Sequence, residues 1–511
     1  MQLPVLCSPI FVTPHCSSPL NAWSGTSAGS TLWPLPGVHF KLQPDAVSAY
    51  PVGPPRLPPA RRFAPPAPTE WPSVTVQLPI YNELYVVERV IDACARLQYP
   101  LPLLHLQVLD DSTDETVALA AERVAYHRAQ GLRIDHVRRP TREGFKAGAL
   151  RYGLEKTDGE FIAIFDADFI PEPDFLLRTI PHFQEGRTGV VQTRWGHLNE
   201  EYSLLTELQA FGLNAHFYVE QVGRTAGGYF INFNGTGGVW RRTCIEDAGG
   251  WQADTLTEDL DLSYRAQLRG WRFKYLPRVV APAELPAAMD ALKSQQFRWT
   301  KGAAETARKH LGRVLRSSAS IGVKIHATFH LLNSSVFGAI LLMAVLSVPL
   351  VYVRADLPAL RPAFQMASVF LLAFVPLTYY YFTSWQLAAQ DRNPTGPGFL
   401  LRFLLFLSVM MGLSLHNARA VALGLLGRQS AFIRTPKLGL VRRQGTWQGR
   451  RYRTGGLDGL TALEGLLALY FLSGLVAGVY FHDFGLFPFH LMLTLGYGLV
   501  FYYSLRHNSQ R

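Results

Sequence analysis

The stretch EFIAIFDAD, residues 160–168, leads a short apolar run directly into two aspartates. The apolar residues predict a buried strand, and Asp166 and Asp168 lie at its carboxyl end. Residues two positions apart share a face on a regular strand, so these carboxylates repel each other unless a cation lies between them or the chain turns. Charged groups in such a position are costly unless something compensates them. The stretch therefore predicts a compensated carboxylate pair at a strand end.

A divalent cation is one way to compensate Asp166 and Asp168. Mg²⁺ and Mn²⁺ take oxygen ligands and often combine one or two carboxylates with phosphate oxygens, which couples the pair to a diphosphate ligand. The alternative is two surface aspartates at a strand exit, where Pro171 and Pro173 favour a turn. An Asp-x-Asp pair by itself does not decide between these interpretations.

Strand-like and helix-like segments alternate around this stretch. From Ser73 onward they read VTVQLPI (74–80), ELYVVERVIDACARL (83–97), LHLQVLDDS (104–112), TDETVALAAERVAYHRAQG (113–131), RIDHV (133–137) and FKAGALRYGLEKT (145–157). This alternation predicts the α/β class, with a mainly parallel sheet covered by helices on both faces. Ligands of such sheets bind beyond the carboxyl ends of the strands. Three acidic clusters lie at those predicted ends, namely Tyr81 to Glu83, Asp110 with Asp111, and Asp166 with Asp168.

The composition bounds the class of protein. The chain has 511 residues, too many for one ordinary core, with 48% hydrophobic residues, 17% charged residues and a net charge of +11. Basic residues beside membrane spans explain that charge better than nucleic-acid binding, because the sequence has no basic helix or RNA-binding aromatic pattern. The four cysteines show no metal-binding spacing, and Cys94 falls in a helical pattern that predicts a packed thiol.

Two regions outside the alternating segments differ in texture. Residues 1–72 contain 16 of the 34 prolines and predict a disordered or extended segment, whose place in the native protein the sequence leaves open. Beyond residue 328, five successive stretches favour membrane spans over buried helices of a large soluble domain, since a span takes about 20 apolar residues. These stretches are 329–353, 364–384, 399–426, 461–481 and 484–505.

The basic segment, residues 427–456, constrains the topology. It carries eight basic residues and no acidic residue. If the N-terminal domain is cytoplasmic and all five stretches cross, this segment would lie outside, against the tendency of basic loops to be cytoplasmic. The stretch 399–426 is also interrupted by polar residues such as His416 and Arg419. We therefore expect 399–426 to lie at the interface or re-enter, and four crossings to leave the basic segment and the C-terminus in the cytoplasm.

The motif DDSTDET, residues 110–116, has a local explanation. Ser112 and Glu115 have capping-box spacing, which predicts a helix start. Acidic residues at a helix N-terminus are also favourably placed relative to the helix dipole. That account leaves Asp110, at the end of the predicted strand, without a role.

Two later motifs also allow local explanations. LTEDLDLSYRAQLRGW (256–271) predicts a helix that opens with Glu258 and Asp259, which suit a helix N-terminus. SQQFRWTKG (294–302) fits an amphipathic surface helix with its Arg and Trp at a membrane interface. Neither motif alone indicates catalysis.

As an ordered set, however, the motifs are specific. PIYNE, DDSTDET, GFKAGAL, FDADF, FNGTGGVWRR, LTEDLDLSYR and QQFRW follow one another over about 220 residues. The series resembles the processive inverting family-2 glycosyltransferases, which include cellulose, mannan and hyaluronan synthases, and is most similar to the glucomannan synthase-like branch and its bacterial relatives. The resemblance implies a cytoplasmic GT-A-type (Rossmann-like) nucleotide-sugar-binding domain over 73–310. A multi-pass transmembrane or interfacial helical region over 311–511, in a bacterial inner membrane, would follow it.

The resemblance also implies roles for individual residues and a divalent metal, Mg²⁺ or Mn²⁺, as cofactor. The implied residues are Tyr81, Asn82, Glu83, Asp110 and Lys146 near the nucleotide, Asp166 and Asp168 at the sugar diphosphate and its metal, Asp259 as catalytic base with Glu258 beside it, and Gln295, Gln296, Arg298 and Trp299 in the motif that binds the diphosphate and packs the acceptor.

The chemistry of sugar transfer agrees with those roles. A base must take the proton of the acceptor hydroxyl, and Asp259 suits that task. The leaving diphosphate must be neutralised, which a metal on Asp168 and the guanidinium of Arg298 achieve. The acceptor must be held in line, and the indole of Trp299 offers a face for a sugar ring. A single displacement inverts the anomeric centre, so the product is expected to be a β-linked polysaccharide.

Several alternatives stay open. A relative that puts one sugar on a lipid shares the Asp-x-Asp pair and the base, and a transporter or scaffold with a degenerate catalytic domain is a further class. The donor is UDP-glucose or GDP-mannose, and partner subunits are not decided. FIRTPKLG (432–439) spaces Phe432, Thr435 and Lys437 like a loop that closes over the nucleotide in cellulose synthases, but a basic loop on anionic lipid fits equally well.

Overall fold

The computed structural model describes residues 70–357, 359, 362, 364, 366, 372–391, 398–452 and 458–509. The predicted Pro-rich segment 1–72 therefore lies almost wholly outside the described residues, as does part of the apolar stretch 364–384.

A seven-stranded mixed sheet organises the N-terminal part of the chain. Its strands are β1 (Val74–Ile80), β2 (Leu104–Asp110), β3 (Ile134–Val137), β4 (Phe161–Ile164), β5 (Thr188–His197), β6 (Gly238–Arg241) and β7 (Arg272–Ala283), in the order β3-β2-β1-β4-β6-β5-β7. Strands β1 to β4 are mutually parallel, β5 is parallel to β7, and β6 is antiparallel to both of its neighbours. The sheet is mainly parallel, as predicted, and β6 is the exception.

Helices cover the sheet, and further helices form the C-terminal part. They are α1 (Val87–Ala95), α2 (Thr116–Ala129), α3 (Phe145–Leu154), α4 (Phe175–Thr179), α5 (Leu204–Ala215), α6 (Gln221–Ala226), α7 (Arg242–Asp247), α8 (Glu258–Leu268), α9 (Met289–Arg316), α10 (Ile321–Leu332), α11 (Val336–Asp356), α12 (Phe374–Asp391), α13 (Phe399–Gly412), α14 (Ser414–Leu425), α15 (Gly459–Tyr480) and α16 (Phe487–Ser509).

The central strands of the sheet are buried on both faces and form its core. Every residue of β2 is buried, and the buried Gln77 amide donates a hydrogen bond to the Gln107 Oε1 across β1 and β2 at 3.0 Å. Fully burying a Val or Leu side chain contributes about 1.5–3 kcal/mol, so these strands fix the register strongly. Cys94 is fully buried in α1, which confirms the predicted packed thiol.

The strand ends differ in detail from the prediction. Strand β4 ends at Ile164, so Asp166 and Asp168 lie in the turn that follows it rather than on the strand. The predicted capping box of Ser112 and Glu115 is wrong, because the Ser112 hydroxyl instead accepts a hydrogen bond from the Asn82 N–H at 2.8 Å and α2 starts without a side-chain cap. The loops after β1 and β2 are therefore tied to each other.

Helix α9 joins the sheet domain to the apolar helices and continues across the predicted boundary at residue 310. It packs closely on the loop before α8, since a Cβ on Gly302 would lie 2.5 Å from the Thr257 side chain. The Glu305 carboxylate accepts a hydrogen bond from the Leu256 N–H at 2.8 Å. Deeper along the two helices, the buried Asp261 of α8 contacts the buried His310 of α9 at 2.7 Å. Helices α8 and α9 thus form one rigid unit.

Among the described residues, two helical stretches are long and apolar enough to cross a membrane, Ile321–Asp356 and α15. The pair α13 and α14, bent by 50°, is a third if it counts as one broken span. Exposed leucines and aromatic side chains on α11 and α15 agree with a lipid-facing surface. The four predicted crossings stay a prediction.

Ion pairs fix the direction of these helices. Lys293 of α9 contacts the buried Glu464, near the start of α15, at 2.6 Å. At the far end, Arg354 of α11 pairs with Asp483, just after α15, at 3.0 Å. Helices α11 and α15 therefore run in the same direction away from α9, and α16 returns, because His507 accepts a hydrogen bond from the Met289 N–H at 3.0 Å. The C-terminal end of α16 therefore lies beside the start of α9, and its cytoplasmic location stays a prediction.

The bent pair begins and ends close to the sheet domain. Near its start, Phe399 packs against Phe211 of α5, with ring centroids 6.2 Å apart. Near its end, a Cβ on Gly424 would lie 2.7 Å from the Lys301 carbonyl of α9. This placement agrees with the expectation that 399–426 re-enters rather than crosses cleanly.

Candidate active site

A single cleft lies beyond the carboxyl ends of β1 and β4. Ten of the thirteen residues singled out in the sequence line it. They are Tyr81, Glu83, Lys146, Asp166, Asp168, Glu258, Asp259, Gln295, Arg298 and Trp299. The lining residues come from both halves of the chain, since residues of the basic segment (427–456) contribute Phe432, Arg434, Thr435 and Lys437.

Asp166 is held by its backbone and neutralised by a lysine. Its N–H donates to the Thr236 hydroxyl at 2.9 Å, and its carboxylate accepts from the Lys146 ammonium at 2.6 Å. Lys146 also donates to the Gly235 carbonyl at 2.9 Å. Burial opposes the charge on Lys146, but the carboxylates of Asp166 and Glu258 outweigh it and raise the lysine pKa. The lysine therefore stays charged at the floor of the cleft.

Asp168 is almost fully buried and has one oxygen paired and one free. Its Oδ2 accepts from the Lys437 ammonium at 2.8 Å and from the Glu284 N–H at 3.1 Å. Its Oδ1 is buried and accepts no hydrogen bond from the described residues. In this arrangement two lysines, Lys146 and Lys437, compensate the pair of aspartates.

The residues present fit a divalent cation in part. The described residues include no group of three or more His, Cys, Asp or Glu side chains that would hold a metal on their own. The free oxygen of Asp168 and the nearby Asp166 are the donor type that Mg²⁺ and Mn²⁺ prefer, and such ions commonly complete their shell with substrate phosphates and water. A metal here therefore fits together with a phosphorylated ligand.

Glu258 and Asp259 begin helix α8 and face the same cleft. Burial, and then the neighbouring Glu258 charge, raise the pKa of Asp259 to about 7. Burial also raises the pKa of Glu258, although Lys146, 3.9 Å away, opposes the shift. A carboxylate with a pKa near neutrality suits a general base, because it is both available and basic.

Helix α9 supplies the opposite wall. Arg298 and Trp299 face the cleft, and Arg298 donates to the Thr435 hydroxyl at 2.7 Å. Burial lowers the pKa of Arg298, against the attraction of Glu258 and Asp166. The interpretation of SQQFRWTKG as a surface helix at a membrane interface is therefore wrong. Gln296 is buried and does not line the cleft, unlike Gln295.

Asn82 and Asp110 also lie away from the cleft. Asp110 is buried and contacts His136 at 2.8 Å, while its other oxygen accepts from the Ser112 N–H at 2.8 Å. Its neighbour Asp111 lines the cleft instead, and Arg139 binds its carboxylate with two hydrogen bonds of 2.7 and 2.6 Å. The Asn82 side chain accepts from the Thr113 N–H at 2.9 Å. These contacts give Asn82 and Asp110 a role in shaping the loops.

Sequence reasoning missed an aromatic and cationic cluster around Tyr81 and Phe432 at the cleft. The guanidinium of Arg142 lies 3.4 Å from the centroid of the Tyr81 ring. Phe145 stacks on Phe432 with centroids 5.4 Å apart, and the guanidinium of Arg298 lies 4.9 Å from the centroid of the Phe432 ring. A stack of this kind offers a planar ligand both a face and positive charge. Phe145 lies within the quoted motif GFKAGAL and Arg142 lies two residues before it, so the motif is the signal that could have found them.

Residues 432–437 of the basic segment contact the cleft. Arg434 pairs with Glu83 at 3.0 Å, and Lys437 reaches Asp168. Burial raises the pKa of Glu83 to about 8, against the charges of Arg434 and Lys437. Of the two interpretations of FIRTPKLG, the described contacts favour a loop over the nucleotide site.

A second cavity adjoins the first, and Asp259 and Trp299 line both, as do Trp195 and Asn234. Its walls include aromatic and amide side chains and one histidine: Trp195, Phe217, Asn232, Asn234 and His216. The Oδ1 of Asn232 and the Nδ2 of Asn234 are buried without a hydrogen-bond partner among the described residues. His216 binds Glu220 through Nδ1 at 2.8 Å, which orients the ring. Aromatic faces beside unsatisfied amides are what a sugar ring with several hydroxyls requires.

The sheet and the cleft define a GT-A-type nucleotide-sugar-binding domain, and comparison with known proteins agrees. Residues 72–302 match the family model described as "Glycosyltransferase like family 2". "Glucomannan 4-beta-mannosyltransferase 1" of Cyamopsis tetragonoloba is 34% identical over 455 residues, covering 84% of this chain and 82% of that protein. "Probable glucomannan 4-beta-mannosyltransferase 3" of Oryza sativa subsp. japonica is 39% identical over 376 residues, covering 72% of this chain. The chain therefore belongs to the family-2 glycosyltransferases, together with these cellulose synthase-like plant relatives.

Two limits apply to these similarities. The chain spans 66% of the rice relative and 59% of another, "Probable glucomannan 4-beta-mannosyltransferase 7" of the same species. A solved mannosyltransferase from Pyrobaculum calidifontis, in complex with GDP-Man and Mn²⁺, is 21% identical with a TM-score of 0.45, covering 64% of this chain and 91% of that one. A likeness at that level adds nothing to the family assignment.

Proposed function

We propose that this chain is a membrane-associated inverting transferase that moves mannose from GDP-mannose to a growing β-linked polysaccharide. The observation that carries the proposal is that Asp168 with its free oxygen and Asp259 with its raised pKa lie in one cleft. The names of the plant relatives support mannose as the transferred sugar. The alternative donor within the same chemistry is UDP-glucose.

The donor lies with its base and its diphosphate at two ends of the cleft. The base packs in the cluster of Tyr81, Arg142 and Phe432, where a guanidinium and an aromatic ring offer stacking surfaces. The diphosphate lies toward Arg298 and Lys437, which carry its charge. A divalent metal held by Asp168 and Asp166 would further neutralise the leaving diphosphate.

The acceptor enters from the second cavity, past Trp299. Its terminal sugar stacks on Trp299 and Trp195 and satisfies the free amide atoms of Asn232 and Asn234. Asp259 is shared by both cavities, so its carboxylate takes the proton of the attacking hydroxyl while the donor lies on the other side. A single in-line displacement inverts an α-linked donor and yields a β-linkage. Holding the two substrates in line supplies much of the rate enhancement.

Transfer of one sugar to a lipid is the second candidate. One observation favours it: the wall of the second cavity includes Gly212 and Leu213 of α5, and α5 packs directly on the apolar helices α12 and α13. A lipid acceptor therefore has a short path to the cavity. A polymer that leaves through the apolar helices would pass the same wall. The length of the product therefore distinguishes transfer to a lipid from synthesis of a polysaccharide.

The test offers radiolabelled GDP-mannose and UDP-glucose, each with Mg²⁺ or Mn²⁺, to purified membranes that contain the full chain. We expect label from GDP-mannose in a long product that a β-mannanase digests. Short, solvent-extractable product identifies the glycolipid transferase, and label from UDP-glucose alone overturns the choice of mannose. The variant Asp259→Asn removes the carboxylate of the proposed base. Its matched control is Asp158→Asn, at an exposed position.

A further inference from the structure

Glu284 is a buried carboxylate that the resemblance does not assign. It follows β7 directly and its side chain is 3% exposed. Its own N–H donates to the Oδ2 of Asp168 at 3.1 Å. Its backbone is therefore tied to the aspartate at the centre of the cleft.

The carboxylate of Glu284 binds the basic segment. Its Oε1 accepts from the Leu438 N–H at 2.9 Å, and its Oε2 accepts from the Gly439 N–H at 2.8 Å and the Leu440 N–H at 3.1 Å. Three successive backbone N–H groups that converge on one anion form a nest, which is a strong arrangement for a negative charge. Gly439 has φ +69°, a conformation that makes the convergence possible and that side chains rarely adopt.

The contacts of Glu284 join the turn that carries Asp168 to the basic segment, and both of these parts of the chain line the cleft. Immediately before the three N–H groups, Lys437 reaches Asp168, Thr435 binds Arg298 and Arg434 pairs with Glu83. The three N–H groups of the nest therefore follow these cleft residues directly in the chain. A second buried contact lies close by, where Leu438 and Leu440 pack with Ala287, Ala288 and Trp447.

We propose that Glu284 is a positioning residue that fixes the run Phe432–Leu440 across the cleft, so that Arg434, Thr435 and Lys437 bind the diphosphate of the donor. The inference rests on the proposed function in that the cleft holds a nucleotide sugar. It does not require Glu284 to touch the donor or to take part in proton transfer. Its effect is to keep three donor-binding side chains in place through the backbone that follows them.

The experiment measures amide hydrogen exchange of the full chain in lipid nanodiscs, for the native protein and for Glu284→Gln. A carboxamide keeps the shape but loses the charge and one acceptor atom, so the N–H groups of residues 438–440 should exchange at least about tenfold faster, while those of β1 stay unchanged. Glu122→Gln, an exposed position on α2, is the matched control. Unchanged exchange at 438–440 overturns the proposal.

Steady-state kinetics then separate positioning from a merely structural contact. Glu284→Gln should raise the KM for the sugar nucleotide about tenfold and lower kcat by less, because the groups it fixes bind the donor. Faster exchange with an unchanged KM overturns the link to the donor. If the native chain turns over no sugar nucleotide, the proposed function fails, while the exchange result still decides whether Glu284 fixes the segment.

A second variant keeps the test available if Glu284→Gln does not fold. Gly439→Ala leaves Glu284 intact but strains the nest, since the new Cβ would lie 2.9 Å from the Tyr85 carbonyl and the residue has a positive φ. It should reproduce the faster exchange at 438–440 and the raised KM. A native-like KM with faster exchange in this variant contradicts the proposal in the same way.

Discussion

The turn after β4 and the basic segment supply charged groups to the same cleft by different routes. Asp166 and Asp168 follow a strand that pairs on both sides within the sheet, and the hydroxyl of Thr236 and the backbone N–H of Glu284 hold them. Lys437 lies 269 residues further along the chain, beyond most of the apolar helices, and meets Asp168 at 2.8 Å. The acids come from the folded sheet and the lysine comes from a distant segment.

The difference lies in what holds each region. The turn after β4 cannot move without breaking the sheet, whose central strands are buried on both faces. The basic segment is held by a few polar contacts and a small apolar cluster, each of which can be broken separately. We therefore expect the sheet edge and α8 to carry the chemical step, and the basic segment to retain the donor. Substitutions in the first region should lower kcat, and those in the second should raise KM.

The largest effect is expected for Asp259→Asn. Removal of a general base costs about 10²–10⁴-fold, and a carboxamide cannot take the acceptor proton. The variant should lose kcat by that factor while its affinity for the nucleoside diphosphate stays within about threefold, measured by calorimetry. The control Asp158→Asn should keep native activity. Native turnover in Asp259→Asn would remove the base assignment.

Asp168→Asn is expected to come next. The substitution removes the buried charge that Lys437 faces and the free oxygen that suits a metal. Turnover should fall about 100-fold and lose its dependence on added Mn²⁺, measured by titrating the metal after treatment with a chelator. A variant with full Mn²⁺ stimulation would show that the metal binds elsewhere.

Whether a feature of the fold or the site could be predicted from the sequence depends on how far apart in the chain the residues that determine it lie. An apolar run followed by acids marks the end of a strand locally, so the sheet edge and the motif at Asp259 were predicted. Which of Asp110 and Asp111 faces the cleft depends on where β2 stops and on the partner His136; Asp111 lines the cleft, and a role of Asp110 at a nucleotide stays a prediction. Glu284 has no local signal, because its hydrogen-bond partners lie 116 to 156 residues away in the chain. The antiparallel direction of β6 is likewise set by long-range pairing.

Lys437→Met tests the second region. It removes the ammonium that faces Asp168 and, in the proposed complex, the diphosphate, without disturbing the sheet. The KM for the sugar nucleotide should rise about 10–30-fold and kcat should fall by less, because a charge-assisted contact to phosphate is lost from binding. Arg428→Met, in the same segment but outside the cleft lining, is the control. A kcat loss as large as that of Asp259→Asn would abolish the distinction between the two regions.

The smallest effect is that of pH on the native chain. The pKa of Asp259 is raised to about 7, and it titrates together with Glu258, so the pair is increasingly protonated below that value. A base must be deprotonated, so kcat/KM should fall up to about tenfold for each unit of acidification below about pH 7. Stability should respond in the opposite sense, because a carboxyl whose pKa is raised by folding favours the folded state below that pKa and loses this contribution as the pH rises through it. Acidification from pH 8 to pH 6 should therefore slow turnover without lowering the thermal midpoint. A parallel loss of activity and of the thermal midpoint would assign the acid limb to unfolding, and a rate independent of pH across this range would contradict the role of Asp259 in the first region.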